Sequence, residues 1–234
     1  MRSHELLANH LRFDASFFSL PYYSSLVGAV RAKNRMSGLI VGCSLGRSTA
    51  AMAFQVGREG SVLALDDDKT VVKYARSNQG RERQKALGWS LPSDSGNGCV
   101  LKGEACVPRF ETVASFCNLR GCEDGAFDCV VADRVQQRPE HNQPLECVIQ
   151  ELARVTAPGG RLSVGVVDDR ATSGEDPHRW LARPSSSFEA DELAALMSAA
   201  GIQDVLLAAV QLPPSTERDA DGLRLFSCSG VAAM

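Results

Sequence analysis

From residue 38 onward the chain alternates short apolar runs with amphipathic stretches of helical length, a pattern that few architectures tolerate other than a parallel sheet covered by helices. Residues 38–41 read as a first strand, 48–55 as a helix of small apolar residues, 61–65 as a second strand running into Asp66, Asp67 and Asp68, and 69–78 as a further helix. Residues 79–97 are polar, with Gly, Ser and Pro near their end, and read as an extended loop. A short third strand is expected at 99–102, leading into Gly103, Glu104 and Ala105, and a fourth at 127–132. Residues 144–156 carry apolar side chains at 145, 148, 149, 152 and 155, one face of a helix, and Pro158, Gly159 and Gly160 separate them from a fifth strand at 161–167. A late helix at 188–200 ends at Gly201, and two last strands follow at 204–211 and 223–231. The link between these two, residues 212–222, is too short for a helical crossover, so they are expected to pair antiparallel.

Residues 1–37 stand apart from this alternation. They hold a helical stretch at 4–11 and an aromatic cluster of Phe13, Phe17, Phe18, Tyr22 and Tyr23, which reads either as core or as a cap over a ligand site. The division expected is an N-terminal helical cap segment, 1–37, and one α/β domain, 38–234. That length buries a sufficient core without disulfides or metal. A net charge of −3 gives no basic field for nucleic acid. The charged N-terminus and the short apolar runs match neither a signal peptide nor a membrane span, so a cytoplasmic protein with no nucleic-acid or membrane partner is expected. The eight cysteines include no C-x-x-C pair, which argues for reduced thiols and against a metal site.

The stretch Gly42-Cys43-Ser44-Leu45-Gly46 admits two chemistries. As G-x-S-x-G it is a nucleophile elbow with Ser44 as the serine of a hydrolase, but only about 40 residues precede it, too few for the strands that carry an oxyanion loop. As a cofactor turn it demands an acid at the end of the second strand, about 20 residues on, to receive a ribose diol. Asp66 lies 20 residues beyond Gly46. Small residues let the backbone approach a ligand, and the helix that follows presents free N–H groups.

With "EDGAFDCVVADRV", "VIQELARVTAPGGRLSVGVVD" and "FEADELAALMSAAGIQDV" added to that turn, the chain resembles the class I S-adenosylmethionine-dependent methyltransferases, in particular the small-molecule branch of ubiquinone-biosynthesis and arsenite enzymes. The resemblance covers residues 38–170 with a compatible tail. It implies a Rossmann-like α/β fold, with a seven-stranded, mostly parallel sheet and an antiparallel C-terminal hairpin. It also implies S-adenosyl-L-methionine as cofactor and a small-molecule substrate, with a homodimer left open as the assembly. Carried over, it implies that Gly42, Cys43, Ser44 and Gly46 pass under the amino-acid end of the cofactor and that Asp66 holds the ribose. Asp67 would lie beside the adenine edge, and Glu104, with Ala105 next to it, would accept the adenine amino group. Asp133 would lie near the methionine moiety or the substrate, and Asp133 and His141 are the candidate bases. Two positions depart from the family: Ile40 stands where an acid is usual, and Ser44 replaces the middle glycine. These departures keep a second reading open, a catalytically degenerate relative that acts as a binding partner. Arg134 occupies the position of the arsenic-binding cysteine of the arsenite enzymes, which disfavours arsenic as a substrate.

Overall fold

The computed structural model describes residues 19–86, 90–91, 99–101, 103–133, 144–168, 190–209 and 224–233. In chain order these form α1 (Ser19–Gly28), β1 (Ser37–Val41), α2 (Arg47–Val56), β2 (Ser61–Asp66), α3 (Lys69–Ala86), β3 (Ser90–Leu91), β4 (Cys99–Val100) and β5 (Arg109–Thr112). They continue with β6 (Phe127–Asp133), α4 (Leu145–Val155), β7 (Thr156–Asp168), α5 (Ala190–Ala199), β8 (Ile202–Ala209) and β9 (Arg224–Ala232). Seven strands build one sheet in the order β5-β2-β1-β6-β7-β9-β8. The pairs from β5 to β7 are parallel, and β9 runs antiparallel to both its neighbours. The Rossmann-like fold with an antiparallel C-terminal pair is therefore as the sequence led us to expect.

The central strands are apolar on both faces because helices cover both. Ile40, Ala64 and Val131 face one cluster with α1 and α2, whereas Leu39, Val41, Val130 and Ala132 face another with α4 and α5. α2 lies close to the sheet because its buried residues are small, and because Gly38 leaves room for Met52, whose Cγ would lie 3.0 Å from a Cβ there. At the far edge, Ser37 N–H and hydroxyl both donate to Asp128 Oδ2 at 2.8 Å and tie the starts of β1 and β6. Cys129 and Cys228 behave as apolar core atoms, and burial pushes their thiols up to about 12 and about 11. No helix among the described residues is long and apolar enough to cross a membrane.

Two sequence expectations need correction. α3 does not stop at residue 78 but runs to Ala86, held in part by the buried Glu82 carboxylate, which meets Arg47 Nε at 3.3 Å and Lys85 Nζ at 2.7 Å. The run at 99–102 is not a strand of the main sheet: Cys99–Val100 pairs only with Ser90–Leu91 in a separate two-stranded unit. The strand beside β2 is instead Arg109–Thr112, whose one buried residue, Phe110, gives almost no periodic signal.

The loop leading from β5 to β6 is pinned to α4 by one guanidinium. Arg154 donates to Glu151, Asp124 and the carbonyls of Leu119 and Cys122, while Glu151 Oε2 accepts the Leu119 N–H at 2.8 Å. The hydrogen bonds from Arg154 hold the Glu151 carboxyl below its usual value of 4.5, helped by the Leu119 N–H and opposed by partial burial. A depressed carboxyl stabilises the fold above its unfolded pKa and loses that contribution as pH falls through the folded value. Glu151→Gln is thus expected to lower the melting midpoint at pH 7 and to narrow its difference from wild type below about pH 4. Parallel melting curves between pH 3 and 7 would show this carboxylate to be idle.

Candidate functional site

The turn after β1 gathers at the carboxyl edge of the sheet. Gly42, Ser44 and Gly46 have φ of 72°, 52° and 92°, so the backbone enters the left-handed region at every second residue. Glycine does this without cost, whereas serine is strained there. Cys43 N–H donates to Leu65 O at 2.9 Å and Gly46 N–H to Cys43 O at 2.9 Å, which closes the turn onto the end of β2 and opens α2. Ser44→Gly is expected to fold with unchanged or slightly raised stability, by up to about 1 kcal/mol, because relief of the left-handed strain is offset by chain entropy. A drop of several degrees in the midpoint would mean that the Ser44 side chain holds the turn.

The three consecutive aspartates are not equivalent. Asp66 is fully buried; its Oδ2 accepts Ser44 N–H at 3.2 Å and its Oδ1 accepts Asp68 N–H at 3.1 Å. Asp68 Oδ1 caps α3, accepting Thr70 N–H at 2.7 Å and Val71 N–H at 3.1 Å. Asp67 is half-buried between them. Asp66 thus joins the turn after β1 to the turn after β2.

Asp133 ends β6 at the same edge. Its predecessor Ala132 pairs with Val41, so Asp133 stands beside Gly42. It is 2 % exposed, and Tyr22 of α1 donates its hydroxyl to Oδ1 at 2.7 Å. The alternatives of core and cap for the N-terminal aromatics meet in Tyr22, which lies in the core cluster and also touches the site. No sequence signal singled it out beyond that cluster. Phe13, Phe17, Phe18, Arg134 and His141 lie outside the described residues.

Glu104 and Ala105 are not brought to this edge. Glu104 is exposed and meets Arg58 Nη1 at 3.3 Å, in the turn that enters β2. Ala105 O accepts from Arg83 at 3.2 Å, and Cys106 N–H donates to Ala53 O at 3.2 Å. They therefore precede β5 at the amino edge, while Asp66 ends β2 at the carboxyl edge, and six residues of strand separate those edges by about 16 Å. The correction follows from the misplaced third strand. Val113, Ala114 and Ser115 follow β5 at the carboxyl edge, and Val113 N–H donates to Asp66 O at 2.9 Å.

Ile40 is fully buried in the apolar cluster with Tyr22, Met52 and Val131, so the usual acid is replaced by packing. Ser44, 1 % exposed, is not raised above the sheet as an elbow nucleophile must be. At the start of α2 the hydroxyls of Ser48 and Thr49 are buried and have no hydrogen-bond partner among the described residues. Together with the free N–H groups of a helix first turn, orphaned donors suit the carboxylate end of an amino-acid ligand.

A family model described as a methyltransferase domain matches residues 39–164, more than half of the chain. The chain belongs to this methyltransferase family. The family carries its cofactor with it, S-adenosyl-L-methionine. An uncharacterized 37.1 kDa protein in transposon TN4556 of Streptomyces fradiae is 26% identical over 172 residues, which is 74% of this chain and 42% of that protein. Among solved structures, a SAM-dependent methyltransferase from Aquifex aeolicus is 19% identical with a TM-score of 0.62, covering 97% of this chain and 98% of its own. An arsenic(III) S-adenosylmethionine methyltransferase from Chlamydomonas reinhardtii is 21% identical with a TM-score of 0.55, over 88% of this chain and 66% of its own. These two likenesses show the shared fold. The chain spans less than half of the Streptomyces protein and about two thirds of the algal one.

Proposed function

We propose that this methyltransferase-family chain transfers the methyl group of S-adenosylmethionine to a small-molecule acceptor. The observation that carries the reading is the joining of two motifs: the left-handed turn at 42–46 is hydrogen-bonded to the buried carboxylate of Asp66, which ends β2. When bound, the cofactor supplies a methyl group already activated on a sulfonium, so no metal is required of the protein. The chain's residues then bind and align. The backbone of Gly42, Cys43, Ser44 and Gly46 makes room for the methionine end, and the first turn of α2 with Ser48 and Thr49 offers donors to its carboxylate. Asp66 receives the ribose, its rotamer held by Ser44 and Asp68 N–H groups. Asp133, at the end of β6, is the first candidate to receive a proton or a cationic group at the transfer end, and His141 is kept as a second candidate base. A small acceptor is favoured over a polyanion by the net charge of −3, and Arg134 speaks against arsenic.

The second reading, a degenerate relative serving as a binding partner, is supported by Ile40. Thermal melting with S-adenosylmethionine and S-adenosylhomocysteine, backed by calorimetry, separates the two. Ligand at about 100 times its dissociation constant stabilises by ~2.7 kcal/mol, and a rise of roughly 5–10 °C in the midpoint is expected. No shift at millimolar ligand would favour the degenerate reading and turn the search toward protein partners.

A further inference from the structure

Tyr22 and Asp133 are 111 residues apart in the chain, and both are removed from water. A carboxylate in that position needs donors around it, and the phenol O–H is one. Three elements build the contact. α1 brings the hydroxyl and β6 the carboxylate, and β7 supplies the gap: Gly165 pairs with Asp133, and a Cβ on it would overlap the Tyr22 hydroxyl and come within 2.8 Å of Cζ. The ring is held edge-on by Tyr23, with centroids 5.4 Å apart. A phenylalanine would fill the same core space, so packing alone gives no reason for the hydroxyl.

We propose that Tyr22 is a positioning residue that holds the Asp133 carboxylate in one rotamer beside Gly42, so that the site favours the cationic methyl donor over the uncharged thioether left after transfer. The inference rests on the proposed cofactor function. A fixed negative charge in a site of low dielectric attracts a sulfonium and gains nothing from a thioether, and a carboxylate free to turn away loses part of that selectivity. Release of the spent cofactor is favoured by the same difference.

Calorimetry of S-adenosylmethionine and S-adenosylhomocysteine on wild type, Tyr22→Phe, Asp133→Asn and the double variant tests this without an acceptor. Asp133→Asn is expected to reduce the ratio of the two affinities about tenfold, and Tyr22→Phe severalfold in the same direction. In the Asp133→Asn background, Tyr22→Phe should then change the ratio no further. Gly165→Ala, which displaces the hydroxyl and leaves both partners in the sequence, should shift the ratio as Tyr22→Phe does. A lowered melting midpoint with an unchanged ratio would reduce Tyr22 to a packing residue and overturn the inference. So would a Tyr22→Phe effect that persists in full without the carboxylate. If wild type binds neither compound, the inference falls together with the cofactor function, whereas normal binding with an unmoved ratio removes the inference alone.

Discussion

Asp66→Ala is expected to lower the melting midpoint of the ligand-free protein by roughly 6–12 °C, corresponding to about 3 kcal/mol for a chain of this size. The side chain is fully buried, and its two oxygens accept the N–H groups of Ser44 and Asp68. Alanine leaves both donors without those acceptors, and each orphaned buried donor costs about 1–3 kcal/mol. The turn at 42–46 loses its tie to β2 at the same stroke, so cofactor binding should vanish as well. Asp66→Asn keeps one carbonyl acceptor and should lose less stability. A change of less than about 0.5 kcal/mol for the alanine variant, measured by denaturant titration, would make Asp66 a solvated strand end with no structural part in the turn. Loss of a ligand-induced shift in Asp66→Ala is therefore meaningful only beside the melting of its unliganded form.

Gly165→Ala should cost about 1–3 kcal/mol, the range for overfilling a packed core. The reason is space and not backbone conformation. The new Cβ would overlap the Tyr22 hydroxyl and lie 3.1 Å from Leu26 Cδ1, and both side chains are fully buried. Tyr22 is stiff and bonded to Asp133, so it makes room only by giving up that hydrogen bond, at a cost a long flexible chain would avoid. Adding Tyr22→Phe to Gly165→Ala removes the overlapping oxygen and should recover part of the loss. The two substitutions together would then cost less than their sum. Additive costs in chemical denaturation would mean that the ring moves freely and that β7 does not shape the contact.

The helix over Leu145–Val155 was legible in the sequence because its apolar residues recur with the period of a helix, and Val148, Ile149, Leu152 and Val155 are the residues it buries. The turn at 42–46 and Asp66 were legible because a glycine turn and an acid at a fixed spacing fall in consecutive elements, where chain connectivity sets the distance. Glu104 was misread for a related reason. A rule that counts strands fails when one strand is four residues long with a single buried side chain, and Arg109–Thr112 is such a strand. The apolar run at 99–102 has the better local pattern, but its first two residues pair with Ser90–Leu91 outside the main sheet.

By itself the sequence determined the succession of parallel strands and helices and the antiparallel end, which rest on periodicity and spacing between neighbouring elements, and the family, which rests on the resemblance of its motifs. Only the tertiary structure decided which four residues lie beside β2, that Asp66 is buried as a structural tie, that Glu104 belongs to the opposite edge, and that Tyr22 reaches Asp133 under Gly165. Each of these depends on partners far apart in the chain, and a side chain's local pattern says which face it presents but not what meets it there.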